Sequence, residues 1–173
     1  MNIAKHIKNI AKLILLCLLA VSSCTIKYSF TGASIPPDAK TFSVQFFQNV
    51  APLVIPTLSP EFTDALKDKM LRGTRLSQVD EDGDLNFEGE ITGYDVAPKA
   101  ITAGEVAEQN RLTISARVKF TNETDPNQNF DKTFSQYVDY SSNLDLSSLQ
   151  DQLIAEILEK LMEDIFNAAV ANW

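Results

Sequence analysis

Hydrophobic and polar residues alternate along several segments of the chain, as they do in half-buried β-strands. The clearest segment is Arg111–Thr121, where the even positions are apolar and the odd positions are polar. Leu85–Tyr94 and Phe130–Tyr140 alternate similarly, and the polar Asn122–Asn129 joins the last two strands as a hairpin. An earlier run, Thr41–Phe47, predicts the first strand. Its apolar face would carry Phe42, Val44 and Phe46.

Two other segments repeat apolar residues at helical spacing. The first begins at Ser59-Pro60-Glu61, which reads as an N-cap, a first helical residue and an acidic first turn, and it ends at Gly73. The second runs from about Ser147 to Ala171, with a capping box of Ser147 and Gln150 or of Ser148 and Asp151. Its apolar stripe is wider than usual, which indicates either core or a strip that docks on a partner.

The element order is therefore β-α-β-β-β-α, and each strand has one apolar face. This order predicts an α+β fold of two layers, a four-stranded mixed sheet with two helices packed on one face and water on the other. Residues 39–173 would form this single domain. We expect four strand residues to be buried beneath the helices: Ile114, Val118, Phe134 and Val138.

The N-terminus has the anatomy of a secretion signal. Three lysines precede the short apolar run Leu13–Val21, and Val21-Ser22-Ser23-Cys24 follows it. An aliphatic residue, two small ones and a cysteine form the lipoprotein pattern, so residues 1–23 are predicted to be cleaved and Cys24 to be lipidated. Residues 24–38 would then be a lipidated, extended tether. The alternatives are an ordinary cleaved signal or an uncleaved anchor helix.

Cleavage changes the chemistry available to the chain. The only histidine, His6, and the second cysteine, Cys17, leave with the signal, so the 150 remaining residues have no histidine and one acylated cysteine. This excludes Ser-His-Asp and Cys-His catalysis, zinc sites built on His or Cys, haem ligation by His, and disulfides; we predict no cofactor and no metal. The basic residues fall from 15 to 12 against 23 acidic ones, a net charge of −11, which disfavours nucleic acid.

Two acidic groups invite a functional interpretation. Asp80 to Asp84 begins like a calcium loop, but Leu85 and Ile91 stand where an EF-hand needs Gly and Glu, so an acidic turn is favoured. Glu88 and Glu90 share one face of a strand at roughly 7 Å, a spacing known from inverting glycosidases. Cross-strand pairing with basic residues explains them better than hydrolysis.

A basic cluster is the sharper candidate for binding. It would lie on the wet face of the sheet and receive the phosphates of a lipid headgroup. The favoured alternative is that carboxylates on neighbouring strands neutralise it. The candidate contact residues are Lys99, Arg111, Arg117 and Lys119, and the neutralising residues are Glu88, Glu90, Asp131 and Asp139.

Three stretches resemble the LptE-type lipopolysaccharide-assembly lipoproteins in their Bacteroidetes branch. They are Cys24 with Tyr28-Ser29-Phe30-Thr31-Gly32-Ala33-Ser34-Ile35-Pro36 and Lys40-Thr41, then Phe87-Glu88-Gly89-Glu90-Ile91-Thr92-Gly93-Tyr94, and the ending from Asp164-Ile165-Phe166-Asn167 to Ala171-Asn172-Trp173. The resemblance spans essentially all of the chain after the signal, and the β-α-β-β-β-α fold of that family agrees with the order given above.

The resemblance implies a non-enzymatic outer-membrane lipoprotein. It would plug an LptD-type β-barrel, assist assembly of this lipopolysaccharide translocon, and contact lipopolysaccharide in transit. The domain would face the periplasm or the barrel lumen, held to the membrane by its N-terminal lipid. Thr25, rather than the Asp that retains enteric lipoproteins at the inner membrane, agrees with this location. The alternative is a lipid-binding accessory lipoprotein of another envelope transport system.

Overall fold

The computed structural model describes residues 38–99 and 109–170, so the predicted signal peptide, Cys24 and nearly all of the tether lie outside the described residues. Six strands and two long helices make up this part, and a short 3-10 turn, Pro126–Gln128, lies in the last hairpin. In chain order the elements are β1 Thr41–Val44, β2 Gln48–Asn49, α1 Leu58–Gly73, β3 Ser77–Gln78, β4 Leu85–Pro98, β5 Gln109–Asn122, β6 Phe130–Ser141 and α2 Leu146–Val170.

The strands form one mixed sheet in the order β3-β1-β4-β5-β6, and β2 also pairs with β4. β1 is parallel to both β3 and β4, β2 is parallel to β4, and β4, β5 and β6 are antiparallel neighbours. The α+β class and the mixed sheet are confirmed. The count of four strands is wrong, because β2 and β3 have two residues each and are too short to produce a pattern of alternation.

β5 follows its predicted alternation along its whole length. Its even positions from Leu112 to Phe120 are at most 1% exposed and face the helices, whereas Arg117 and Lys119 point to solvent on the other face. β4 changes face partway, because the register with β5 shifts between Ile91 and Gly93. Before this bulge the buried apolar residues stand at odd positions, and beyond it the even-numbered Tyr94 lies in the core.

The first predicted strand is interrupted after Val44. Phe46, expected on the apolar face, is 59% exposed, while Phe47 is fully buried and packs on Phe62 of α1 at 4.8 Å between ring centroids. The three residues between β1 and β2 are not in a strand, although both strands pair along β4. The break shifts the alternation by one residue, so the prediction for Phe46 was wrong and its neighbour took the core position.

Both helices cover one face of the sheet, as predicted. α1 packs against β1, β2 and β3, α2 packs against β5 and β6, and the two helices contact each other. Gly73 permits this contact, because a Cβ there would lie 2.5 Å from the ring of Phe166. The start of α2 differs from both predicted capping boxes: Asp145 accepts a hydrogen bond from the Ser147 N–H at 3.2 Å.

Three of the four residues expected beneath the helices are buried: Ile114, Val118 and Val138. The fourth, Phe134, packs against the core but is only partly buried. It lies on β6, the last strand in the sheet order, where the ring meets fewer neighbours. The wide apolar stripe of α2 is core, since Ile154, Leu158 and Met162 are all at most 5% exposed.

Candidate functional site

The acidic turn before β4 is a structural clamp. The Asp84 carboxylate accepts hydrogen bonds from the backbone N–H groups of Lys40 (2.8 Å) and Thr41 (2.9 Å) and from the Thr41 hydroxyl (2.9 Å). These bonds lower the pKa of Asp84, the one from the Lys40 N–H most of all. Gly83 lies against β1, where a Cβ would be 2.5 Å from the Ser43 nitrogen. Within residues 38–99 and 109–170, no cluster of His, Cys, Asp or Glu could hold a metal ion.

At one end of the outer sheet face, Asp139 on β6 gathers two cations. Arg111 on β5 donates from Nε and Nη2 to its two carboxylate oxygens at 2.7 and 3.1 Å, and Lys99 Nζ lies 2.9 Å away. The Arg111 guanidinium lies 3.6 Å from the ring centroid of Tyr137. The hydrogen bond from Arg111, followed by that from Lys99, lowers the pKa of Asp139 to about 2. Two of the predicted contact residues therefore share one carboxylate.

At the other end of this face, the remaining two cations are also paired. Arg117 donates to both oxygens of Asp131 at 2.8 and 2.7 Å, and Lys119 Nζ lies 2.7 Å from Glu88. Lys119 and Glu88 stand directly opposite each other in the β4–β5 register, whereas Arg117 reaches diagonally to Asp131. The hydrogen bond from Arg117 lowers the pKa of Asp131.

The structure therefore brings all four candidate contact residues onto one face and gives each a carboxylate partner. The bidentate pairs around Arg111 and Arg117 are the strongest of these contacts in geometry. Neutralisation by Glu88, Asp131 and Asp139 agrees with the favoured interpretation of the basic cluster. Sequence reasoning missed Tyr137, which lies under the Arg111 guanidinium. Its odd position on β6, which it shares with Asp139 on the outer face, was the available signal.

A groove of about 780 Å³ lies between α1 and α2 on the side away from the sheet. Its lining includes the apolar side chains of Ala65, Leu158 and Met162. Lys69 pairs with Glu163 across it and also lies over the ring of Phe166, 5.2 Å from the centroid. Carboxylates outnumber cations among the charged lining residues, which are Glu61, Lys69, Arg72, Asp151, Glu159 and Glu163.

Among the helices of the described residues, none combines the length and apolar character that crossing a membrane requires.

The model of the family "LptE: Lipopolysaccharide-assembly" matches residues 39–169. No curated protein matches the chain. Among solved structures, the chain is similar to the hypothetical protein CT253 from Chlamydia trachomatis, at 9% identity and a TM-score of 0.54, covering 78% of this chain and 99% of that one.

Two further solved structures are similar at lower scores. Lipoprotein B from Nitrosomonas europaea has 10% identity and a TM-score of 0.47, covering 83% of this chain and 88% of that one. Rare lipoprotein B from Shewanella oneidensis has 9% identity and a TM-score of 0.45, covering 75% and 90%.

The family match covers the whole predicted domain except its last four residues. It confirms the resemblance drawn from the sequence, and, because the family is non-enzymatic, also the prediction that the chain is not an enzyme. The chain belongs to the LptE family of lipopolysaccharide-assembly lipoproteins.

Proposed function

We propose that this protein is an outer-membrane subunit of the lipopolysaccharide translocon, where it plugs and helps to assemble an LptD-type β-barrel. The observation that carries the proposal is the family match over residues 39–169. Residues 1–23 act as the signal peptide, and Cys24 carries the diacylglyceryl and palmitate-type chains that hold the domain at the membrane.

The outer face of the sheet supports a plug better than it supports capture of phosphates. A lumen-facing surface needs polar groups that remain satisfied when bulk water is restricted. Here the cations Lys99, Arg111, Arg117 and Lys119 are held by carboxylates of the same face. An arriving lipid phosphate would have to displace those carboxylates. We therefore assign these four residues to a neutral polar surface against the barrel lumen.

The test of the barrel partnership is purification of the full-length, lipidated protein from its own cells in mild detergent, with the bound proteins identified by mass spectrometry. A large outer-membrane barrel recovered in near-equal amount is the expected result. Recovery of the lipoprotein alone, or with components of a different transport system only, contradicts the proposal.

Anchoring is tested separately by Cys24→Ala. The variant should accumulate as an unprocessed precursor that takes up no labelled palmitate, while Cys17→Ala, inside the signal, serves as the matched control and is processed normally. Labelled lipid on the Cys24→Ala protein contradicts the assignment of Cys24.

The groove between α1 and α2 favours a second candidate, an accessory lipoprotein that binds lipid for another envelope transport system. Its apolar lining would suit an acyl chain, but its excess of carboxylates disfavours a phosphate-bearing headgroup. Lipid recovered by organic extraction of the purified domain, lost when Ala155 is changed to Phe to fill the groove, would support this candidate.

A further inference from the structure

The connection between β1 and α1 lies in the longest charge-free stretch of the chain. Residues 41–60 contain no Asp, Glu, Lys or Arg, although such residues make up 22% of the protein. Eight large hydrophobic side chains are exposed within residues 38–99 and 109–170, and four of them belong to this connection: Phe46, Val50, Leu53 and Val54. We call residues 46–54 the apolar loop.

The base of the apolar loop is fixed by hydrogen bonds to the sheet and within the connection. Val50 N–H donates to the Ile91 carbonyl of β4 at 2.9 Å. The Asn49 side chain closes the base of the loop, with Nδ2 3.4 Å from the Ile55 carbonyl and Oδ1 3.1 Å from the Ala51 nitrogen. Exposed apolar side chains on a preorganised backbone bind a partner with little loss of conformational entropy.

The other surfaces of the domain differ from this loop in charge. The outer sheet face is covered by internal ion pairs, and the groove between the helices is rimmed by carboxylates. The apolar lining of the groove lies among charged side chains, whereas the apolar loop has none. The apolar loop is thus the part of the described surface that gains most from being removed from water.

We propose that the apolar loop is the docking surface of this domain for its barrel partner, seated on a charge-free, apolar patch of the barrel wall. This inference rests on the proposed function. Four exposed side chains are too few for an interface of roughly 800 Å² a side, so the loop acts as the apolar anchor within a larger polar contact. The ion-paired sheet face supplies a polar surface for the remainder.

A bilayer and a second copy fit the loop less well. Loops that insert into membranes commonly carry Trp, Tyr, Lys or Arg at their borders, and residues 41–60 contain none of these. Two copies of a chain with a net charge of −11 after cleavage repel each other at long range. An uncharged patch on a partner protein needs no such border residues and is not repelled by the negative charge of this chain.

The experiment is site-specific photocrosslinking in cells, using the full-length protein with p-benzoylphenylalanine in place of Leu53. Leu144, in the connection between β6 and α2, is the matched control, since the two side chains are 52–53% exposed. We expect a product between position 53 and the barrel, identified by mass spectrometry, at least tenfold stronger than at position 144. The double variant Leu53→Ser/Val54→Ser should lower barrel co-purification at least fivefold at an unchanged melting temperature, whereas Leu144→Ser should not.

Three outcomes overturn the inference while the wild-type protein still co-purifies with the barrel. They are crosslinks at position 53 to lipid or to a second copy, equal crosslinking at positions 53 and 144, and full barrel recovery with the double variant. If the wild-type protein brings down no barrel at all, the proposed function fails first, and the inference falls with it.

Discussion

The two faces of β5 are built from alternate residues of one strand, yet they stabilise the protein in different ways. The inner face, Leu112 to Phe120 in steps of two, is at most 1% exposed and packs under the helices. The outer face carries Arg111, Arg117 and Lys119 in ion pairs that remain near solvent. Burial of apolar area stabilises by roughly 25 cal/mol per Å², whereas exposed ion pairs contribute about 0–1 kcal/mol each.

Charge pairing on the outer face therefore contributes little to folding stability and mainly determines the charge of the surface. Removing a carboxylate from this face would leave a local basic patch there. Removing an inner-face side chain would leave a cavity. Stability measurements should therefore separate the two faces clearly.

The largest expected effect is on the inner face. Phe120→Ala should lower the free energy of unfolding by about 3–5 kcal/mol, because Phe120 is buried between Phe87 and Phe130, with centroids 4.9 and 5.2 Å away. Phe134→Ala, on the partly buried end strand, should cost less, about 1–3 kcal/mol. Urea denaturation measures both, with Thr113→Ala on the outer face as the control. Equal losses for the two phenylalanines would contradict the burial difference.

A smaller loss of stability is expected at the contact between the two helices. Gly73→Ala should destabilise by about 1–3 kcal/mol, since the added Cβ would meet the Phe166 ring at 2.5 Å. Phe166→Leu makes room, so adding Gly73→Ala to that background should cost little. A double-mutant cycle measures the coupling, and additive effects of the two changes would mean that the contact is not what requires glycine.

The ion pairs of the outer face should make the free energy of unfolding depend on pH. The folded pKa of Asp139, about 2, lies below its ordinary value of 3.8. A carboxylate whose pKa is lowered by folding stabilises the folded state fully when the pH lies above its ordinary pKa. This contribution is lost as the pH falls through the pKa of the folded state. Asp139→Asn should therefore cost roughly 1–2 kcal/mol at pH 7, and the difference from wild type should shrink below about pH 4 and be mostly lost at pH 2.

Urea titrations at pH 7, 5, 3 and 2 measure that difference directly, and other carboxylates cancel because they are present in both proteins. A difference between Asp139→Asn and wild type that is the same at pH 2 as at pH 7 would contradict the assigned ion pair with Arg111.

The smallest effect belongs to the exposed end of the outer face. Arg117→Gln with Lys119→Gln should change the melting temperature little, and less still at high salt, because all four side chains are 42–57% exposed. Barrel co-purification should nevertheless fall, because Glu88 and Asp131 would be left without their cations on the surface proposed to face the barrel lumen. Unchanged co-purification and unchanged resistance of cells to large hydrophobic antibiotics would remove this face from the functional surface.

Sequence patterns predicted the fold where one face of a long strand is buried without interruption. β5 followed its alternation because no bulge interrupts its pairing with β6. β4 and the first strand departed from theirs, since a bulge near Thr92 and a break at Gln45–Phe47 each shift the alternation by one residue. The adjacent phenylalanines 46 and 47 are equally apolar, so only the tertiary structure decides which one is buried.

The residues of the candidate site could be predicted from the sequence, but the individual ion pairs could not. Three of the four acidic residues expected to neutralise the basic cluster form ion pairs with it, namely Glu88, Asp131 and Asp139, and they were identified from their strand faces alone. Which carboxylate meets which cation depends on the register between strands, and Arg117 passes its direct neighbour Thr133 to reach Asp131. The clamp of Asp84 on β1 joins residues 43 apart, a distance at which local patterns carry no information.

In the proposed lipid-anchored protein, the Asp84 clamp has a mechanical consequence. Tension along the chain before β1 would reach the fold at Lys40 and Thr41, where the clamp holds both backbone nitrogens. β1 lies between two parallel strands, so a pull along its axis loads its hydrogen bonds in shear, all at once, and does not unzip them singly. The residues that would first receive a pull from the proposed anchor are thus held by hydrogen bonds that must break together.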